Sequence, residues 1–232
     1  MRPRTSHNAF WRDLTESEQG ELCSIGAVRS YEIGDQLFQQ GAASDHVLIV
    51  LAGWVKVTAL RADGHEVLLA IRGPSDTLGE SGWLNQRPRS ASGVALSSVR
   101  ALVVRADRFA TFIDANTHAA QVLARAMTAR MEEADRRMES QISAPGPARL
   151  AALLADLADQ FGETIGPGGP ITLPLPLTQW ELAQMIGNTR ETVARALTAW
   201  RRNGIITTGR MRISILDLPA LRRAAGQQRS SQ

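Results

Sequence analysis

Residues 177–204 read LTQWELAQMIGNTRETVARALTAWRRNG, and two short helices joined by a tight turn follow from them. Thr178 is an N-cap candidate, because its hydroxyl can accept a free N–H in the first helical turn. Glu181, three positions on, can return a bond to the cap and complete a capping box. Leu182, Ala183 and Ile186 give this helix one apolar face, and Gly187-Asn188 supplies the turn. Thr189 caps a second helix, with acidic Glu191 in its first turn and Val193, Ala196, Leu197 and Trp200 as its apolar residues. Small Ala183 lets the two helices cross closely, and Val193 fills the space between them. The Ala-x3-Gly-x5-Val spacing is what a helix-turn-helix requires.

The second helix begins with Arg190, Glu191 and Arg195 near its N-terminal end, where a recognition helix meets base edges. Arginine can fork onto guanine O6 and N7, and glutamate can accept from cytosine N4. Charge is concentrated around them. From residue 189 to the end there are nine arginines against Glu191 and Asp217, a net +7; the whole chain carries +3, leaving −4 for residues 1–188. A basic end on an acidic chain points to a polyanion such as double-stranded DNA. The alternative is a solvated surface in an arginine-biased sequence, since Lys56 is the only lysine. Ile205 to Ile215 reads as a hairpin and makes the unit a winged helix-turn-helix.

Upstream, 148–161 is an Ala/Leu helix, and 162–176 is Gly/Pro-rich with Ile171-Thr172-Leu173 as a short strand. Ala144-Pro145-Gly146-Pro147 breaks the chain as a hinge. Before it, roughly 116–142 lacks Gly and Pro. There Leu123, Met127, Met131, Ala134 and Met138 recur every three or four residues, and charged residues fill the other faces. Such a helix runs about 40 Å. Its narrow stripe reads as a seam against a second copy, the alternative being a stripe packed on the chain's own domain. Residues 31–104 read as short strands with turns. Val47–Leu51 and Trp54–Val57 flank Ala52-Gly53, and Asp63-Gly64 sits between Val55–Leu60 and Glu66–Ile71 as a hairpin signal. A small antiparallel barrel or roll follows. Thr15-Glu16-Ser17-Glu18 reads as a capping box opening a short helix.

Composition excludes much else. Among 232 residues, 44% are hydrophobic and 21% charged, as expected of a globular chain long enough for two cores. The run Val47–Val55 is too short for a membrane span, and Met1–Trp11 has no apolar signal region, so a cytoplasmic location is expected. Cys23 alone cannot form an internal disulfide, nor supply a cysteine-ligated iron–sulfur cluster or zinc site. His7, His46, His65 and His118 are scattered, which speaks against haem or a metal centre. No nucleophile triad, paired-carboxylate signature or phosphate loop appears, so no enzyme is expected and no catalytic residue is assigned.

Arg190-Glu191-Thr192-Val193-x-Arg195 resembles the recognition helix of the cyclic AMP receptor protein/fumarate-nitrate regulator (CRP/FNR) superfamily, and the order of elements is similar along nearly the whole chain. The resemblance implies an α+β fold in four parts. These are a cyclic-nucleotide-binding β-roll (a double-stranded β-helix or jelly roll) over 1–115, a dimerisation helix over 116–143, a hinge over 144–147 and a winged helix-turn-helix over 148–232. It implies that Arg190 and Arg195 read guanines and Glu191 a cytosine in a palindromic TGTGA-like operator, with Thr178, Gln179, Thr189 and Thr192 near phosphates. Trp180 replaces a residue that is often Gln or Glu in the family.

Residues 78–91, LGESGWLNQRPRSA, resemble the phosphate-binding cassette of cyclic-nucleotide domains. Gly79 lets backbone N–H groups approach an anion, and Arg89 offers a charge-assisted fork to a cyclic phosphate. Glu80 can accept a ribose 2′-OH and orient Arg89, while Ser81 and Ser90 complete the cassette. Aligned through the hinge, Arg130 matches a helix arginine near the ligand, and Ala134 and Asp135 stand where the cyclic AMP receptor carries Thr and Ser. The effector implied is cyclic AMP first, with cyclic GMP or another nucleotide open. A homodimer that contacts RNA polymerase, away from membranes, is implied too. Two alternatives remain: a constitutive regulator with a vestigial pocket, and a low-specificity architectural DNA-binding protein.

Overall fold

A computed structural model describes residues 9–62, 64–164, 166, 169–209 and 212–226. His7, Asp63, Arg210, Met211 and Arg229 lie outside them. The chain forms two compact units that divide between Met131 and Glu132.

The first unit opens with α1 (Phe10–Asp13) and α2 (Glu16–Ile25). Strands β1 (Gly26–Tyr31), β2 (Gln36–Phe38), β3 (His46–Ala52), β4 (Val55–Leu60), β5 (Glu66–Arg72) and β6 (Thr77–Leu78) follow. Then come α3 (Glu80–Leu84), β7 (Ser92–Ala95), β8 (Val99–Arg105), α4 (Ala106–Ala115) and the start of α5 (Thr117–Ser143). Two antiparallel four-stranded sheets, ordered β1-β8-β3-β6 and β2-β7-β4-β5, make the expected roll. The unbroken apolar run of β3 is explained by its position. Val47 and Ile49 face a core formed with Phe10, Leu22, Phe109 and Phe112, while Leu48 and Val50 face the opposite core with Leu37, Val55 and Val99. A strand buried on both faces needs no polar alternation. Gly53 turns the chain from one sheet into the other rather than closing a hairpin. Its φ is 85°, and a Cβ there would fall 2.9 Å from Val99 Cα.

The Thr15–Glu18 capping box is present, and its carboxylate also reaches across to α5. Glu18 accepts from the Thr15 N–H at 2.8 Å and lies 3.0 Å from His118 Nδ1. Burial works to raise this carboxyl, but the bonds from Thr15 and His118 outweigh it and leave the group below its usual value. As pH falls, the unfolded chain therefore takes up the proton first. The stabilisation is full above the ordinary carboxylate range and is lost as the pH passes down through the depressed folded value. Glu18→Gln is expected to shrink the acid-side loss, read from thermal midpoints between about pH 7 and pH 3.

The long helix divides the seam read from its sequence. Leu123 and Met127 pack with Ala119 and Val122 into the core of the first unit, so this half of the stripe serves the chain's own domain. Beyond it, Met131 is 69% exposed, Met138 64% and Ile142 85%.

The second unit contains α6 (Gly146–Phe161), β9 (Glu163–Thr164), β10 (Ile171–Leu173), α7 (Gln179–Met185), α8 (Arg190–Arg202), β11 (Ile206–Gly209), β12 (Arg212–Ile215) and α9 (Leu218–Ala224). The break between α5 and α6 is shorter than the segment 144–147. Pro145 is the N-cap of α6, and Gly146 and Pro147 already belong to its first turn, where proline's missing N–H leaves no intrahelical bond unmade. Gly146 is buried because a side chain there would collide with Asn188 and Thr192 of the helix-turn-helix. Leu150, Leu154 and Leu157 line the buried face of α6. An antiparallel sheet in the order β11-β12-β10-β9 contains the β11–β12 wing.

Candidate functional site

In the first unit, Arg72, Arg89 and Arg130 line a cavity of about 180 Å³ beside α3. Gly79, with φ at 84°, is the N-cap of α3, and a Cβ there would strike the Arg89 guanidinium. Among the described residues the Arg89 side chain has no hydrogen bond to a carboxylate. Its Nη1 donates to the Gly79 carbonyl at 2.9 Å and its Nη2 to the His46 carbonyl at 2.6 Å, and its Cζ lies 5.0 Å from the centre of the Phe38 ring. The residue is 3% exposed, and Nε is buried with no hydrogen-bond partner among the described residues. Burial lowers its pKa, opposed by the fields of Asp45 and Glu80. A buried cation supported mainly by neutral acceptors is a site that an entering anion stabilises.

Glu80, 6% exposed, turns instead to the long helix. Arg130 Nη1 donates to Glu80 Oε1 at 2.5 Å, and Nη2 donates to the Thr77 carbonyl at 2.7 Å and to Thr77 Oγ1 at 3.2 Å. Asp76 Oδ1 lies 3.8 Å from the same Nη2. Glu80 Oε2 is buried with no hydrogen-bond partner among the described residues. An acceptor in that state suits a hydroxyl donor, because a buried carboxylate oxygen left unbonded costs free energy.

In the second unit, the Thr178–Glu181 capping box forms as expected. Gly187, with φ at 58°, makes the turn, and the Asn188 N–H donates to the Ala183 carbonyl at 2.9 Å. Val193 is 0% exposed between the helices. Thr189 accepts from the Thr192 N–H at 3.3 Å and caps α8. Burial of this apolar face leaves Arg190, Glu191 and Arg195 exposed on the other side. The Glu191 carboxyl lies below its usual range, first through its own backbone N–H and then through Thr189. It is therefore an ionised acceptor at neutral pH.

A cyclic nucleotide-binding domain model matches residues 28–116, and a Crp-like helix-turn-helix domain model matches residues 148–224. The CRP-like cAMP-activated global transcriptional regulator of Mycobacterium tuberculosis is 32% identical over 192 residues, covering 83% of this chain and 85% of that protein. The chain belongs to the CRP/FNR family of transcription regulators. The transcriptional activator FnrL of Cereibacter sphaeroides is 27% identical over 226 residues, covering 95% of this chain and 89% of its own. The structure of FixK2 from Bradyrhizobium japonicum has the same fold, with a TM-score of 0.76 at 20% identity over 88% of this chain and 99% of that one. The family members are DNA-binding regulators, and this chain carries their nucleotide-binding and DNA-binding domains. Among the described residues no helix is long and apolar enough to cross a membrane.

The fold brings six of the residues read from this CRP/FNR chain's sequence to one cavity: Gly79, Glu80, Ser81, Arg89, Ser90 and Arg130. Ala134 and Asp135 are not among its lining residues; both belong to the other compact unit and are exposed there. The expectation that Glu80 orients Arg89 is corrected. Glu80 hydrogen-bonds to Arg130, while two main-chain carbonyls and Phe38 position Arg89. Phe38, the His46 carbonyl and Thr77 were absent from the sequence reading. Thr77 adjoins the cassette and could have been found there; Phe38 and His46 lie far from Arg89 in sequence and carry no local signal. Thr178, Gln179, Thr189, Arg190, Glu191 and Arg195 are exposed in the second unit, and Thr192 is half-buried.

Proposed function

We propose that this CRP/FNR regulator is a homodimer switched by a cyclic nucleotide, cyclic AMP first and cyclic GMP second, that binds a palindromic TGTGA-like operator. The observation that carries the effector is Arg89, a buried guanidinium that among the described residues has no carboxylate hydrogen-bonded to it, in a cavity with a Glu80 oxygen that has no partner among them. A cyclic phosphate compensates the first and a ribose hydroxyl the second. The printed name of the Mycobacterium tuberculosis relative, cAMP-activated, favours cyclic AMP among nucleotides. Gly79, Ser81 and Ser90 complete the phosphate side, with Arg130 at the carboxylate. Ala134 and Asp135 of the long helix stand in sequence where the cyclic AMP receptor carries Thr and Ser, and supply neither hydroxyl.

Met131, Ala134, Met138 and Ile142, exposed on α5, form the seam with a second copy. The four-part organisation, with sensor to 115, dimer helix to 143 and DNA-binding domain from 148, belongs to this reading. Arg190, Glu191 and Arg195 read bases, while Thr178, Gln179, Thr189 and Thr192 approach phosphates. The two recognition helices then lie about 34–36 Å apart, one DNA turn. The protein works in the cytoplasm with RNA polymerase.

Operator selection from random DNA, run without effector, with cyclic AMP and with cyclic GMP, tests this. A palindrome enriched only with one nucleotide is expected. Enrichment of the same palindrome with no nucleotide makes the regulator constitutive, and no enrichment under any condition removes sequence-specific recognition. Linkage adds a second check, because a nucleotide that tightens operator binding must itself be bound more tightly by the same factor when operator is present.

A further inference from the structure

The row of side chains along α8 that begins at Arg190 continues to the wing. Residue 201 lies eleven positions beyond Arg190, close to three helical turns, so both arginines share a face roughly 16 Å apart. At that far end the structure contains a notch of about 190 Å³ whose rim carries Gln179, Arg201, Thr208 and Arg212. Arg201 is set by two hydroxyls: Nη2 donates to Thr198 Oγ1 at 3.0 Å and Nη1 to Thr208 Oγ1 at 3.3 Å. Those partners fix the guanidinium without neutralising it. Gly209 makes room for the second cation, since a Cβ there would lie 2.9 Å from Arg212 Nε. Neither arginine forms an ion pair with a carboxylate among the described residues.

We infer that this notch seats one backbone phosphate of the DNA duplex, held between Arg201 of α8 and Arg212 of the wing, with Gln179 of α7 donating from the third side. The inference rests on the reading of the exposed α8 face as the DNA face. If the N-terminal end of α8 enters the major groove, a point roughly 16 Å along its axis meets the backbone at the groove wall, and a phosphate there needs cations rather than a base reader. The notch adds affinity and register without sequence information. Two guanidiniums on one phosphate also make the pair non-additive, because either alone recovers part of the contact.

The test measures affinity of the full-length protein for a selected operator duplex and for a random duplex across a range of salt concentrations. Arg201→Gln/Arg212→Gln is expected to make the slope of log affinity against log salt shallower by about 1.8, the value for two lost phosphate contacts, one in each protomer of the proposed dimer. The fold-loss should be equal on operator and random DNA, and each single variant should lose less than half of the double-variant loss. Arg201→Lys should retain most of the slope, and Gly209→Ala should weaken binding with no charge removed. An unchanged slope in the double variant overturns the notch. Arg190→Ala, run beside it, separates the failures: discrimination lost there with the slope intact sinks only the notch, whereas a silent Arg190→Ala sinks the DNA-facing assignment of α8 as well.

Discussion

Arg89→Met is expected to lose cyclic-nucleotide binding by about 2–5 kcal/mol, roughly 30- to 4,000-fold, while the ligand-free protein stays as heat-stable as the parent or becomes more so. The two halves of this result have one cause. In the ligand-free structure the guanidinium is buried, rests on two carbonyls and an aromatic ring, and is desolvated enough to lower its pKa. A group whose charged form is disfavoured by folding works against stability at neutral pH, so an apolar side chain of similar length relieves that penalty. The same guanidinium offers a phosphate in the cavity charge-assisted hydrogen bonds. Calorimetry with cyclic AMP and cyclic GMP measures the first half, and thermal unfolding with and without ligand measures the second, because the ligand-induced rise in midpoint disappears with the affinity. Parent-like affinity in Arg89→Met would exclude Arg89 as the phosphate contact. A large drop in the ligand-free midpoint would make it a structural strut.

Arg190→Ala should reduce discrimination between the matched half-site and sites changed at one base pair by about 1–3 kcal/mol, roughly 5- to 150-fold, and relax a single position. Arg190 is the first residue of α8 and is exposed, so its loss leaves Val193, Leu197 and Trp200 packed and the helix-turn-helix folded. The neighbouring Glu191 stays ionised, and preference at the position proposed for it is expected to persist. Binding isotherms against a panel of single-position operator variants read the effect. Unchanged preference at every position would remove Arg190 from base recognition, and a uniform loss across all positions would reassign it to a phosphate.

The helix-turn-helix could be read from residues because every determinant of it is local. Thr178 and Glu181, Ala183 and Gly187, Thr189 and Val193 act over one or two turns, and each appears where its spacing places it. The run Val47–Leu51 announced a strand for an equally local reason, although only its two cores show why it lacks alternation. The helix break at 144–147 is shorter than its prolines suggest, because proline suits a helix start as well as a break. Pro145 caps α6 and Pro147 lies in its first turn, a distinction made by where the neighbouring helix begins.

The cavity divides in the same way. The chemistry of segment 78–91 was legible through its resemblance to a phosphate-binding cassette, with a glycine, a carboxylate and an arginine in one short stretch. Their partners lay elsewhere. Glu80 bonds to Arg130, 50 residues downstream, and Arg89 bonds to the carbonyl of His46, 43 residues upstream. Likewise, one apolar stripe on α5 became a buried half around Leu123 and an exposed half around Met138, though both halves have the same periodicity. Sequence by itself therefore determined the elements, the caps, the reading helix and the chemical character of the cassette, all set by torsion angles and contacts a few residues apart. Only the tertiary structure decided which charge meets which and which half of a stripe is covered, because those depend on distances through space that chain spacing does not encode.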